Sequence, residues 1–168
     1  MLPESKIHSF YDEKEGQVLH FLEGQKLIHD LAVLSNVQGV GLRYMRDSVL
    51  SFQLMIAFLK PGEGLGVYID NQDPYFRFKI ETGAGGHMRA LLLPEDLETF
   101  PRSLKGVCRL TKVFTHGKAP YTSVLELHDL PCRDLANLIL RDSYQMTGHV
   151  FLSEKSDQAV LVLKLPAI

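Results

Sequence analysis

Along Tyr75–Leu93, YFRFKIETGAGGHMRALLL, apolar and polar side chains alternate. Phe76, Phe78 and Ile80 alternate with Tyr75, Arg77 and Lys79; beyond a glycine-rich step, Met88, Ala90 and Leu92 alternate with His87, Arg89 and Leu91. A period of two sends successive side chains to opposite faces, so the segment predicts a β-hairpin with one apolar and one cationic face. Thr82-Gly83-Ala84-Gly85-Gly86 supplies the backbone freedom that its connection needs. Such a hairpin either belongs to the core of an α+β domain or seeds a broad antiparallel sheet used as a surface.

The rest of the chain extends the same patterns. Ile7–Tyr11 and Gln17–Leu22 read as short strands about the polar turn 12–16, and Gln25–Leu34 as a short amphipathic helix. After a break at Asn36–Gly41, Leu42, Met45, Val49, Phe52, Ile56 and Leu59 step along one helical face. Leu50, Leu54, Met55 and Phe58 widen that face, so Leu42–Lys60 is expected to be a long buried helix at the centre of the core. Pro61-Gly62-Glu63-Gly64 stops it, and Leu65–Asp70 is a strand turning at Asn71–Pro74. Pro94–Leu104 reads as an irregular connection. Gly106–Thr115 and Pro120–Asp129 form a second hairpin about His116-Gly117-Lys118. A helix follows from Pro131 to about Gln145 with Leu135, Leu138 and Ile139 inward, then closing strands His149–Leu152 and Val160–Leu165. The expected fold class is α+β, antiparallel sheets packed around a long buried helix, in one domain over residues 1–168.

Composition adds mainly exclusions. A 45% hydrophobic and 23% charged chain is that of an ordinary globular protein, and a net charge of −2 gives no global attraction to phosphate backbones. Arg102, Lys105, Arg109, Lys112 and Lys118 form the densest run of cations, which is explained better by a solvated face than by nucleic-acid binding. MLPESKIHSF is not a secretory signal, and Ser51–Leu59 is too short to span a bilayer. Two cysteines, Cys108 and Cys132, make no disulfide framework, which fits a reducing compartment. A cytoplasmic protein without nucleic-acid or membrane partners is expected.

Candidate chemistry is sparse. Gly83–Met88 carries methionine where a dinucleotide loop needs its last glycine, and it joins two strands rather than a strand and a helix. Histidines at 8, 20, 29, 87, 116, 128 and 149 form no metal motif; the second hairpin could bring His116 and His128 face to face, but two ligands do not make a zinc site. Cys108 lies mid-strand. Cys132 lies at a helix N-terminus, where a thiol pKa falls, yet no motif ties a base to it. Asp70/Asp73 and Glu95/Asp96 fall in turns or connections. No catalytic residue, metal ligand or cofactor is expected, and the chain does not read as an enzyme.

The order of elements carries more. A strand pair over Ile7–Leu22 precedes a short helix and an apolar helix through Leu59. The glycine-rich strand at Leu65, the Asp73-Pro74 turn and a hairpin arm with His87-Met88-Arg89 follow. Next come Val124-Leu125-Glu126-Leu127, Leu135–Leu140 leading to Asp142-Ser143-Tyr144-Gln145-Met146, and Ala159–Ala167, AVLVLKLPA. This succession resembles the N-terminal domain of the heat-shock protein 33 family, the redox-regulated holdase chaperones of bacteria. It departs at Asn71-Gln72 and Ala90, where the family usually has glycine. The family's C-terminal domain binds zinc through C-x-C and C-x-x-C elements, which Cys108 and Cys132 do not match. The expectation is a truncated chain or a member without its switch, with zinc assigned to no residue here.

The resemblance implies an ATP-independent holdase that binds unfolding proteins and forms a homodimer. If the face of Phe76, Phe78, Ile80, Met88, Ala90 and Leu92 meets the helix, clients meet Tyr75, Arg77, Lys79, His87 and Arg89; sequence leaves the opposite arrangement open. The alternatives are a dimerisation or scaffold module without client affinity and a small-ligand enzyme using Cys132.

Overall fold

A computed structural model describes residues 1–114 and 117–166. The expected turn at His116, and with it the approach of His116 to His128, lies outside the described residues. The chain opens with a hairpin of β1 (Lys6–Asp12) and β2 (Gln17–Glu23), then α1 (Gln25–Leu34) and α2 (Gly39–Gln53). Five strands follow: β3 (Gly64–Gln72), β4 (Tyr75–Gly83), β5 (Met88–Leu93), β6 (Ser103–Val113) and β7 (Tyr121–Pro131). The chain closes with α3 (Leu135–Asp142), β8 (Gly148–Leu152) and β9 (Gln158–Lys164). All pairings are antiparallel, in two sheets ordered β1-β2-β9-β8 and β5-β4-β3-β6-β7. The class is α+β.

α2 joins the two sheets, touching β4 and β5 of the larger and β8 and β9 of the smaller. Its Tyr44 meets Phe76 and Phe78 edge to face, with ring centroids 4.9 and 5.5 Å apart. Met45, Val49, Leu50 and Phe52 are buried beside it. Aromatic pairs in this geometry add about 0.5–1.5 kcal/mol each to the burial of their area.

The single long buried helix expected from Leu42 to Lys60 is not what forms. α2 has fifteen residues, and a 3₁₀ turn over Leu54–Phe58 continues it. A 3₁₀ turn repeats every three residues, so Phe52, Met55 and Phe58 keep one face through the change and the apolar pattern does not register it. The tightening begins at Gln53, whose side chain is committed elsewhere: Nε2 donates to the Gly86 carbonyl (3.0 Å) and Oε1 accepts from Thr82 Oγ1 (2.7 Å). Nor is α2 apolar all round, since Arg43 is exposed and Arg46, Asp47, Ser48 and Ser51 are half-buried.

The helix expected from Pro131 to about Gln145 is also shorter. A 3₁₀ turn over Cys132–Asp134 leads into α3, which ends at Asp142, and Gln145 adopts a left-handed φ of 54°. Asn137 Oδ1 accepts from the Val150 amide (2.9 Å), seating α3 on β8. In the larger sheet the β6–β7 register shifts between Leu104 and Gly106. Gly106 has φ 147°, and a Cβ there would lie 2.1 Å from the Asp70 carbonyl oxygen, so glycine is required. Beside it, buried Asn71 accepts from the Lys105 amide (2.7 Å) and donates to the Pro74 carbonyl (2.8 Å). One side chain thus satisfies the bulge and fixes the turn into β4.

Candidate functional site

The two faces of the β4–β5 hairpin separate cleanly. Phe76, Phe78, Ile80 and Leu92 are buried, and Met88 and Ala90 pack partly buried against the same core. The opposite face therefore turns away from α2. Strand register extends that face: Tyr68 pairs with Lys79 and Arg109, Asp70 with Arg77 and Val107, and Arg109 with Val124. One outward surface across five strands thus holds Arg89, Leu91 and Leu93 of β5, Tyr75, Arg77, Lys79 and Glu81 of β4, Tyr68 and Asp70 of β3, Arg109 and Val113 of β6, and Val124 of β7. Its apolar members stay 44–59% exposed: Val113, Leu93, Leu91, Tyr75 and Val124.

Its charges form a defined lattice. Glu81 is the hub, accepting from Tyr68 Oη (2.8 Å) and Arg89 Nη2 (3.0 Å), with Lys79 Nζ at 3.1 Å. The Tyr68 hydroxyl bond, followed by the bonds from Arg89 and Lys79, holds the Glu81 carboxyl down to about 2. Lys79 Nζ also lies 5.0 Å from the Tyr68 ring centroid. Arg77 faces Asp70 more loosely at 3.7 Å.

Of the five residues expected on the client side, Lys79 and Arg89 meet at Glu81. Tyr75 and Arg77 lie at the other end of β4. His87 leaves the sheet at the turn, its ring so close over Gly83 that a Cβ there would lie 2.0 Å from Cε1. Tyr68, Asp70, Glu81, Leu91, Leu93, Arg109, Val113 and Val124 complete the surface and were not assigned to the client side from sequence. The alternation of LGVYID and VCRLTKV carries the signal, but only pairing register tells which alternate set joins β4.

The cationic run divides. Arg109 belongs to the outer face and Arg102 to the 94–102 connection. Lys112 turns inward, donating to the Ser143 carbonyl (2.9 Å) with Nζ 4.1 Å from the Tyr144 centroid; burial pushes its pKa down. These residues do not make one basic patch. The thiols are equally committed. Burial pushes Cys108 up to about 12, and it does the same to Cys132, whose Sγ donates to the Pro101 carbonyl (2.8 Å). Desolvation outweighs the helix N-terminus that would favour a Cys132 thiolate. Among the described residues no three His, Cys, Asp or Glu side chains gather as metal ligands, and no helix is long and apolar enough to cross a membrane.

Comparison with known proteins completes the description. The family model described as Hsp33 protein matches residues 5–167. No curated protein matches in sequence. The crystal structure of the 33 kDa chaperonin (heat shock protein 33 homolog) of Thermotoga maritima superposes with a TM-score of 0.78 at 12% identity. The match covers 95% of this chain and 60% of that one, so the chain spans less than two thirds of the chaperonin's length.

Proposed function

Because the chain belongs to the Hsp33 family, a family of chaperones, we propose that it acts as an ATP-independent holdase, capturing unfolding proteins on the outer face of its five-stranded sheet. The observation that carries this is the open face itself, with half-exposed Leu91, Leu93, Tyr75, Val113 and Val124 set among Arg77, Lys79, Arg89 and Arg109. An unfolding protein transiently exposes apolar segments, and an apolar surface that shields them prevents their mutual association. The Glu81 lattice keeps the face solvated, as charged side chains do on exposed sheet surfaces. The surface is amphipathic rather than oily, and capture is spread over many side chains.

This chain's own capture is independent of zinc and of oxidants. Cys108 is buried and Cys132 half-buried, and desolvation favours the neutral thiol at both, which supports that reading. The partners are unfolded proteins and a second copy of the chain, in the cytoplasm, rather than nucleic acid or membrane. A homodimer gains support from β1, where Phe10 and Tyr11 point to opposite faces and remain 58% and 62% exposed. The same feature favours a second reading, a dimeric scaffold without client affinity.

The test is light scattering of a thermally unfolding client with a molar excess of the protein, without ATP, under reducing and oxidising conditions, alongside native mass. Suppression under both conditions is expected. A dimer that leaves scattering unchanged would establish the scaffold reading instead.

A further inference from the structure

Opposite the open sheet face, on the helical side of the larger sheet, lies a cleft of about 660 Å³. The polar side of α2, the 94–102 connection, the turn entering α3 and the β8–β9 turn form its walls. That volume is typical of small-molecule sites, which combine apolar walls with a few placed polar groups. Phe52, Phe100, Leu135 and Val150 supply the apolar wall, and four arginines approach it: Arg43, Arg46, Arg102 and Arg133.

The four are not equivalent. Arg46 is a structural tie: Nε donates to Asp157 (3.0 Å), Nη1 to Asp47 (2.6 Å), and Nη2 to the carbonyls of Ser153 and Ser156. Asp47 and Asp157 thereby share a single guanidinium, so Arg46 is not available to a ligand. Arg133 faces Glu154 at 3.9 Å with both side chains more than 80% exposed, a loose pair. Among the described residues, neither Arg43 nor Arg102 has a carboxylate within 4.0 Å. Arg43 is positioned by stacking instead, its guanidinium carbon 4.1 Å from the Phe100 centroid. Stacking occupies the flat face of a guanidinium and leaves its N–H edge free to donate in a fork. Stacked Arg43 and, lining the same cleft, Arg102 place two cations without carboxylate partners beside an apolar wall, which matches a phosphate monoester carrying −1.5 to −2 charges and three acceptor oxygens.

We propose that this cleft binds a small phosphate monoester with a flat apolar body, Arg43 and Arg102 taking the phosphate and the Phe100–Leu135 wall the body. The assignment is one of binding, and no chemical step is assigned to the Cys132 thiol, which donates to the Pro101 carbonyl in the same wall. It is independent of client capture, since the cleft and the outer sheet face share no residue.

Isothermal titration of the whole chain with phenyl phosphate, inorganic phosphate and phenol tests it. Saturable one-to-one binding of phenyl phosphate is expected, tighter than that of inorganic phosphate, with no binding of phenol. Arg43→Gln combined with Arg102→Gln should weaken it at least tenfold at unchanged urea stability, while Arg109→Gln on the outer face leaves it intact. Lack of saturation at millimolar ligand, equal binding by the double variant, or equal weakening by Arg109→Gln would each overturn the proposal. So would a dimer that binds no ligand and becomes monomeric in the double variant, which would make the cleft a subunit contact.

Discussion

Replacing Leu91, Leu93 and Val124 together by threonine strips the outer sheet face of apolar area while keeping residues that favour strands. The three side chains are 49%, 45% and 59% exposed, so roughly half of each is available to a client. Full burial of a leucine or valine side chain is worth about 1.5–3 kcal/mol, which leaves about 1 kcal/mol per side chain for capture. The triple variant should therefore lose up to about 3 kcal/mol of client affinity, close to two orders of magnitude. Each single variant should lose less than tenfold. The fold should hardly respond, because substitutions at such exposed positions usually stay within about 0.5 kcal/mol. Phe78→Ala, on the buried face of the same hairpin, should instead cost about 3–5 kcal/mol of stability. Urea unfolding gives the stabilities, and scattering of a heat-unfolded client over a range of chaperone ratios gives the capture. A triple variant of normal stability that suppresses aggregation at the same ratio as the parent would refute the assignment of this face.

Three further outcomes follow from single residues. Asn71→Ala leaves the Lys105 amide and the Pro74 carbonyl without their partner and should cost about 1–3 kcal/mol in urea unfolding. Glu81 has a depressed carboxyl, so its contribution to stability is present above its ordinary value of 4.5 and is lost as pH falls toward about 2. With a third of the side chain exposed, that contribution is about 1 kcal/mol or less, and Glu81→Gln should flatten stability between those pH values in acid titrations. Cys108 and Cys132 should resist alkylation at pH 8 in the folded chain and react together in urea, and Cys132→Ser should suppress aggregation as well as the parent does.

Much of the fold is legible in the chain because its signals are local. The alternation around Phe76–Ile80 identifies β4 and its apolar face, though not which face is covered, and the pattern of Gln25–Leu34 gives α1 with both of its ends. Ends that depend on distant partners are not legible. The step from α2 into a 3₁₀ turn at Leu54 follows from Gln53 bonding to Thr82 and Gly86, residues about thirty positions away. The start of β6 at Ser103 rests on its pairing with Pro131 and on Asn71 receiving the bulged Lys105 amide. Lys112 looks like a member of a basic run until its strand parity turns it onto Ser143 and Tyr144.

By itself, then, the amino-acid order determined which stretches are strands and helices and which side of the hairpin is apolar, since periodicity and turn chemistry act within a few residues. It also carried the succession of elements that places the chain among Hsp33 proteins. The tertiary structure decided that α2 covers the Phe76–Ile80 face, that Tyr68 and Arg89 meet at Glu81, and that burial raises the Cys132 thiol despite its place before a helix. It also assembled the arginine cleft from four separate segments. Each of these depends on long-range register and on depth below the surface, and neither quantity is written in the spacing of neighbouring residues.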